Sequence, residues 1–240
     1  MAISKQCLAL LCLLVLSQSE SSYARHRSRQ SASLDQDDDM VAAFAKRQSQ
    51  WGVQYLGDDY SKDSMYVYYK GTKIGGASTS SFQVLGGGYA RDISDVYFYG
   101  QEVRGASARS FEALGDGYAK DFSDVYFAGN PVRGASAQSF VALGGGYAKD
   151  FSDVYYFGQE VRGASGGTFE SLGDGYAKDF TDVFYRGQEM RGAYASSFRA
   201  LGNGYARDTF NTYYMGKIYN GNVPQSFSTN GPNYGRSTPR

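Results

Sequence analysis

Apolar residues recur in this chain at a fixed interval of 29 residues. A tyrosine column shows the interval most plainly, with the members Tyr60, Tyr89, Tyr118, Tyr147, Tyr176 and Tyr205. Phenylalanine, leucine, valine and glycine columns keep the same step, and one repeat supplies Phe111, Leu114, Val125 and Gly129 to them. A fixed period of about 20 to 50 residues is typical of stacked supersecondary units. The sequence therefore predicts one domain of roughly six repeats over residues 51–221.

Within one repeat, short runs of strand-forming residues alternate with turn residues. In the repeat from Ala106 to Gly134, three strands are predicted, at Tyr118–Asp121, Val125–Ala128 and Pro131–Arg133. Three turns are predicted between and before them, at Gly115–Gly117, Phe122–Asp124 and the two-residue hairpin Gly129–Asn130. The spacing of three between Phe111 and Leu114 leaves room for one helical turn at the start of the repeat.

Stacking of the repeats is expected because one repeat has too few large apolar side chains to offset the entropy cost of ordering its backbone. Like residues are expected to meet across repeats, for example Phe111 with Phe82 and Phe140. The predicted fold class is all-β, with β-meander repeats stacked as an open solenoid-like array. A closed ring or propeller-like arrangement is the alternative, since Val53–Leu56 could complete a unit with Val223–Phe227.

Residues 1–24 predict a secretory signal peptide. Lys5 provides a basic start, and Cys7–Leu16 is an apolar run shorter than a membrane-spanning helix. Cleavage is expected after Ser19 or after Ala24, and a retained membrane anchor is the alternative. Both cysteines of the chain lie in the apolar run. A secreted, extracellular protein without disulfides is therefore expected, with no membrane span once the signal is removed.

The segments that flank the repeats are polar. Residues 25–50 combine basic and acidic stretches with little to bury, and they predict a disordered leader or a propeptide. The pair Lys46 and Arg47 is interpreted either as an ordinary solvated pair or as a processing site that releases the repeats. Residues 222–240, rich in Gly, Asn, Ser and Pro, predict a loose tail.

Charge and composition exclude several function classes. The chain has 24 basic and 24 acidic residues, so the charge footprint of a nucleic-acid binder is absent. The one histidine, His26, precedes the repeats, and the repeats contain no cysteine. Nucleophilic triads, histidine general bases and zinc sites therefore lack their residues. We expect no enzymatic activity and no cofactor.

Four repeats carry a pair of aspartates three residues apart, namely Asp92 and Asp95, Asp121 and Asp124, Asp150 and Asp153, and Asp179 and Asp182. Carboxylate oxygens are ligands that calcium prefers, so these pairs are candidate calcium sites. The alternative is that the aspartates cap turns through their own backbone and pair with the neighbouring cation. The second interpretation is favoured because calcium loops gather more carboxylates and the cation would repel the ion.

Aromatic residues supply a candidate binding surface. Neighbouring residues of a strand point to opposite faces, so a second column could stay exposed if the first forms the core. This tyrosine row comprises Tyr68, Tyr97, Tyr126, Tyr155, Phe184 and Tyr213. Exposed tyrosine rows can bind extended polymers or proteins in a multivalent way. In the alternative, both faces are covered and the hydroxyl groups reach solvent at the edges.

The run Tyr-Ala-Lys-Asp-x-x-x-Val-Tyr-Tyr/Phe-x-Gly, followed by Gly-Ala-Ser-x-x-Ser/Thr-Phe-x-x-Leu-Gly, resembles the DKNYY family of tandem-repeat proteins over Val53 to Gly221. The chain departs from that family where Lys-Asn would follow the aspartate. The residues there are Ile93-Ser94, Phe122-Ser123, Phe151-Ser152 and Phe180-Thr181. An apolar side chain in this turn predicts either an extra buried contact or an exposed apolar row. The resemblance implies the repeat fold and no particular activity.

The absence of catalytic and zinc-binding residues from the repeats, together with the predicted secretion, indicates a structural role. We expect a non-enzymatic protein with a structural or interaction role in an extracellular matrix, for example a shell, cuticle or skeletal matrix. Its partners would be matrix polymers or matrix proteins, and self-association is a further hypothesis. The alternative is a soluble lectin-like module that binds glycans or proteins through the tyrosine row.

Overall fold

The structure is a computed structural model that describes residues 52–221. These residues form short strands and one 3-10 helix, Ala195–Ser197. The strands are β1 (Gln54–Gly57), β2 (Tyr60–Lys62), β3 (Val67–Tyr69), β4 (Thr72–Lys73), β5 (Gln83–Gly86), β6 (Tyr89–Arg91), β7 (Val96–Phe98), β8 (Gln101–Glu102), β9 (Glu112–Gly115), β10 (Tyr118–Lys120), β11 (Val125–Phe127), β12 (Asn130–Pro131), β13 (Val141–Gly144), β14 (Tyr147–Lys149), β15 (Val154–Tyr156), β16 (Gln159–Glu160), β17 (Glu170–Gly173), β18 (Tyr176–Lys178), β19 (Val183–Tyr185), β20 (Gln188–Glu189), β21 (Arg199–Gly202), β22 (Tyr205–Arg207), β23 (Thr212–Tyr214) and β24 (Lys217–Ile218). The predictions for the signal peptide, the leader with Lys46 and Arg47, and the tail concern residues outside this range.

Each repeat forms its own four-stranded sheet, and the described range contains six of them. Strands that follow one another in sequence are neighbours in every sheet, so each sheet is a meander. None of the sheets closes into a barrel, and the arrangement is consistent with a solenoid-like array of repeats. The predicted all-β tandem-repeat fold is confirmed. Within residues 52–221, no helix has the length and apolar character needed to cross a membrane.

The third sheet shows how the sequence of one repeat sets its strands. Tyr118 pairs with Phe127 and Lys120 with Val125, so β10 and β11 are antiparallel. The predicted helical turn from Phe111 to Leu114 is wrong, because Glu112–Gly115 is strand β9 and pairs with β10. The glycine-containing turn after β9 folds this segment back on β10, with a register shift between Tyr118 and Ala119.

The hairpin between β11 and β12 lies one residue earlier than predicted. Its central residues are Ala128 and Gly129, with φ of 48° and 76°, rather than Gly129 and Asn130. Two consecutive positive φ angles are those of a type I′ turn, whose twist matches the flanking strands. The left-handed conformation carries some strain at Ala128 and none at Gly129, because glycine lacks a Cβ atom.

Successive sheets pack face to face and share their cores. One core cluster joins Tyr118, Val125 and Val132 of the third repeat to Phe140 and Tyr155 of the fourth. Similar clusters join each other pair of neighbouring repeats in the described range. An inner sheet therefore buries both of its faces, one against the preceding repeat and one against the following repeat. The clusters confirm the prediction that neighbouring repeats share a core, which is a general property of stacked repeats.

The expectation that like residues meet across repeats is wrong for the phenylalanine column. The ring centroid of Phe140 lies 5.5 Å from that of Tyr118 in the preceding repeat and 5.6 Å from that of Tyr155 in its own repeat. Both distances fit tilted aromatic packing. Each phenylalanine is therefore placed between two tyrosines because neighbouring sheets offer different faces to each other.

The glycine column of the hairpins allows this close approach of sheets. A Cβ atom built on Gly158 would lie 2.8 Å from Cβ of Phe127 in the preceding repeat. Gly158 also has a φ of 75°, which L side chains rarely adopt. Both observations explain why this column holds glycine in every repeat, since a side chain there would push neighbouring sheets apart.

Candidate functional site

The buried tyrosine column connects each repeat to the next. The Tyr118 hydroxyl donates to the carbonyl oxygen of Gly146 at 3.1 Å and accepts from the backbone N–H of Gly158 at 2.9 Å. Both glycines belong to turns of the following repeat. Tyr118 is fully buried, so its hydroxyl satisfies two backbone groups at the interface. The same two bonds are made by Tyr60, Tyr89, Tyr147 and Tyr176.

The buried hydroxyl stays protonated over the whole ordinary pH range. Burial raises the pKa of Tyr118 well above its usual value, and the hydrogen bond from the Gly158 N–H offsets only part of this rise. The proton therefore remains available for the bond to Gly146. The tyrosines of this column therefore connect repeats, and the Tyr118 hydroxyl does not ionise at neutral pH.

Tyr118→Phe should lower the free energy of unfolding by about 1 to 3 kcal/mol, because it leaves the Gly158 N–H and the Gly146 carbonyl without their partner while it keeps the ring. Chemical denaturation followed by circular dichroism measures the change. Tyr194→Phe is the matched control, since the Tyr194 side chain is half exposed, and it should change stability by less than about 0.5 kcal/mol. Equal effects of both changes would show that the buried hydroxyl does not connect the repeats.

Asp121 accepts four hydrogen bonds at the turn after β10. Its Oδ1 atom accepts from the backbone N–H groups of Ser123 and Asp124, each at 2.8 Å. Its Oδ2 atom accepts from the N–H of Ser107 at 2.8 Å and from the Tyr126 hydroxyl at 3.1 Å. The carboxylate thus joins its own turn to the loop that precedes the sheet. The three backbone bonds recur at Asp92, Asp150, Asp179 and Asp208.

These bonds favour the ionised carboxylate. Burial by itself raises the pKa of Asp121, but the N–H groups of Ser107, Asp124 and Ser123 and the Tyr126 hydroxyl outweigh it, so the pKa lies below its usual value. The pKa values of the equivalent aspartates are lowered in the same way, at Asp92, Asp150, Asp179 and Asp208.

Acid should therefore destabilise the repeats. A carboxyl group whose pKa is lower in the folded state contributes its full stability above the unfolded pKa of about 3.9 and loses it as the pH falls through the folded value. Thermal unfolding midpoints measured from neutral pH downward should stay level to about pH 5 and then fall. Asp121→Asn should flatten this fall, because it removes one of the aspartates. A midpoint that is constant down to about pH 2 would contradict the carboxylate role.

The calcium candidates are distributed between two environments. The first members, Asp92, Asp121, Asp150 and Asp179, are buried and use both carboxylate oxygens in the hydrogen bonds described above. Of the second members, Asp124 is exposed, and Asp95, Asp153 and Asp182 are half-buried. Within residues 52–221, no group of three or more His, Cys, Asp or Glu side chains is placed to hold a metal ion. This geometry fits the turn-capping interpretation of the pairs.

The cation beside each aspartate has a different partner from the one expected. The sequence predicts that Lys120 pairs with the neighbouring carboxylate, but its Nζ atom donates to the carbonyl oxygen of Phe140 in the next repeat at 3.3 Å. Equivalent bonds to carbonyls of the next repeat are made by Lys62, Arg91, Lys149 and Lys178. The cations therefore contribute to the contact between repeats.

Of the two alternatives for the tyrosine row, an exposed surface or covered faces, the structure has covered faces, so the exposed surface is corrected. Five of its members are buried, with 1 to 4% of their surface exposed: Tyr97, Tyr126, Tyr155, Phe184 and Tyr213. Tyr68, in the first repeat, is half buried. The physical reason is the stacking of sheets, because the face that carries this row packs against the preceding repeat. Tyr126, for example, belongs to the core cluster that contains Tyr89 and Phe111.

A different row of apolar side chains is exposed. It consists of Ile93, Phe122, Phe151 and Phe180, which expose 79, 88, 81 and 83% of their surface. We call these four residues the apolar row. The backbone N–H of Phe122 donates to Ser110 Oγ at 3.1 Å, which holds the turn while its ring points to solvent. Of the two alternatives for this turn, buried contact or exposed row, the structure has the exposed row.

One set of bonds between repeats was missed by the sequence-based predictions. Asp116 Oδ2 accepts from the N–H of Gly146 in the next repeat at 3.0 Å, and Asp58 and Asp174 make the same bond. The signal in the sequence is the middle residue of this turn, which is aspartate in the first, third and fifth repeats and Gly87, Gly145 or Asn203 in the other three. These aspartates, like the tyrosines, act between repeats.

Comparison with protein families shows which family the repeats resemble. The model of the DKNYY family matches residues 89–217, which is more than half of the 240 residues. The matched range runs from the second to the sixth repeat. No curated protein and no solved structure matches the chain.

Proposed function

This chain belongs to the DKNYY family, and we propose that it is a secreted, non-enzymatic repeat protein with a structural or interaction role in an extracellular matrix. The proposal combines the sequence of residues 1–24, which has the features of a signal peptide, with the way the repeats use their polar side chains. The proposed partners are polymers or proteins of the matrix.

One observation carries the structural role. The repeated polar side chains of the described range, namely the buried tyrosines, the capping aspartates and the cations, are hydrogen-bonded within or between repeats. A side chain that already satisfies buried backbone groups cannot leave them for a substrate without a cost in stability. The polar side chains of each repeat thus hold the repeats together, which is what a load-bearing or scaffolding protein requires.

The lectin-like alternative relied on the tyrosine row as its binding surface. Five of the six rings of that row are buried between sheets, so a ligand could reach these five only by separating neighbouring repeats. The proposal therefore rests on the structural role. An interaction surface would have to consist of other residues, which are exposed.

Expression of the full chain in cells with a secretory pathway tests the proposal. The chain should appear outside the cells, with an N-terminus at residue 20 or 25, or at residue 48 if the pair Lys46 and Arg47 is processed. It should then partition with the detergent-insoluble matrix fraction. A chain that begins at residue 25 is the control, and it should remain inside the cells. Retention of the full chain in the cytoplasm would refute secretion, and a freely soluble secreted chain would refute the matrix role.

A further inference from the structure

The apolar row is unusual for a surface that meets only water. Its four side chains expose about four fifths of their surface each, and there is one in each of the second to fifth repeats. With roughly 150 to 200 Å² for each side chain, the row presents on the order of 500 to 700 Å² of apolar area. Monomeric proteins rarely expose apolar patches larger than a few hundred Å². The row therefore has the properties of an interaction surface.

We propose that the apolar row is the interface between two copies of this chain. Two rows that face each other would bury about 1000 to 1400 Å², which reaches the lower range of specific interfaces, near 1200 Å². A two-fold axis brings the same patch of both copies together, so no second surface is required.

The spacing of the row supports a second copy as the occupant. Phe151 and Phe180 are separated by the loop of small residues 163–168, in which the Gly166 N–H donates to the Ser152 carbonyl at 2.9 Å. The corresponding loops nearer the start of the row carry the exposed Arg109 and Gln138, so the loop of small residues lies only between Phe151 and Phe180. A second copy has the same 29-residue spacing of row members, so two rows can align along their length. The net charge of zero adds no long-range repulsion between copies.

The sixth repeat shows the contact that the other repeats lack within the chain. In the corresponding turn the column of the apolar row holds Thr209, and the next residue, Phe210, packs on the Tyr194 ring at 4.7 Å between centroids. The column of Tyr194 holds serine in the second to fifth repeats, at Ser78, Ser107, Ser136 and Ser165. An aromatic side chain exposed on this turn can thus pack on a neighbouring ring, although Phe210 is one position after the column of the row, and a second copy would supply such a ring to Phe122, Phe151 and Phe180.

Sedimentation equilibrium of the purified full chain tests the interface. The chain should form a dimer with a dissociation constant below about 100 µM, and added salt should strengthen it because the contact is apolar. Phe122→Ser, Phe151→Ser and Phe180→Ser together should weaken dimerisation by about 100-fold or more, with an unchanged unfolding midpoint in dilute solution. The matched control combines Val141→Thr and Ile218→Ser, which change exposed apolar residues outside the row and should leave the dimer intact.

Three results would overturn the inference. They are a wild-type chain that stays monomeric at about 200 µM, a triple variant that dimerises like the wild type, and a control that weakens the dimer as much as the triple variant. A monomeric wild type whose retention on an insoluble β-linked polysaccharide is lost in the triple variant would assign the row to a glycan instead. The experiment uses purified protein, so its outcome is independent of secretion and of the matrix role.

Discussion

Phe140→Ala should lower the free energy of unfolding by about 3 to 5 kcal/mol, one of the two largest effects expected for a single substitution in the repeats. Phe140 is 1% exposed and lies between the rings of Tyr118 and Tyr155. Truncation removes a large apolar side chain and leaves a cavity between two sheets that both rely on it. Because the cavity lies between repeats, the change should also weaken the coupling of the third repeat to the fourth.

Urea denaturation measures the loss, with Phe151→Ala as the matched control. Phe151 is in the same repeat and is 81% exposed, so its truncation should change the stability of the dilute chain by less than about 0.5 kcal/mol. A broadened or two-step transition for Phe140→Ala would fit uncoupling of the stack at that point. Similar losses for Phe140→Ala and Phe151→Ala would contradict the placement of Phe140 between the sheets.

The repeat and most of its turns could be predicted from the sequence because they depend on local chemistry. The 29-residue period marks the units, and the glycines at 115 and 117 require positive φ, which the structure has. The hairpin was misplaced by one residue because the left-handed position is held by Ala128, and alanine gives no signal for that conformation.

The candidate surface could not be predicted in the same way. Alternation along Val125, Tyr126 and Phe127 shows that the side chains point to opposite faces, but it does not show how many faces are covered. That depends on whether a neighbouring sheet packs on each side, which is a property of the stack. The buried tyrosine row and the exposed Phe122 are thus two results of one geometry: the faces of the sheets are interior, and the turns at their edges are the surface.

The contacts between repeats explain why polar residues are retained in the stack. Apolar faces alone would allow neighbouring sheets to slide, since hydrophobic contact is not directional. The Tyr118 hydroxyl reaches two defined backbone atoms, and Asp116 reaches a third, all in the next repeat. These bonds fix the offset between sheets, and with it the spacing of the apolar row on which the inferred dimer depends.

Asp150→Ala is the second substitution for which a large effect is expected, about 3 to 5 kcal/mol. Its carboxylate accepts from the backbone N–H groups of Ser136, Ser152 and Asp153 at 2.7 to 2.9 Å and from the Tyr155 hydroxyl at 3.4 Å. Bonds to a charged acceptor are stronger than neutral ones, and alanine would leave all four donors without it. The loop before β13 should separate from the turn after β14, so hydrogen exchange at the Ser136 amide should speed up.

Asp153→Ala is the matched control, because Asp153 is only half-buried and takes part in the turn through its backbone, which alanine keeps. It should lower the free energy of unfolding by less than about 1 kcal/mol.

These two substitutions also distinguish the calcium interpretation of the aspartate pairs from the turn-capping interpretation. A calcium site would need both carboxylates, so both substitutions would abolish a rise in the unfolding midpoint on addition of calcium. Capping predicts a large loss for Asp150→Ala, a small one for Asp153→Ala and no response of the wild-type chain to calcium. Equal losses with a calcium-dependent midpoint would overturn the capping role and restore the metal site.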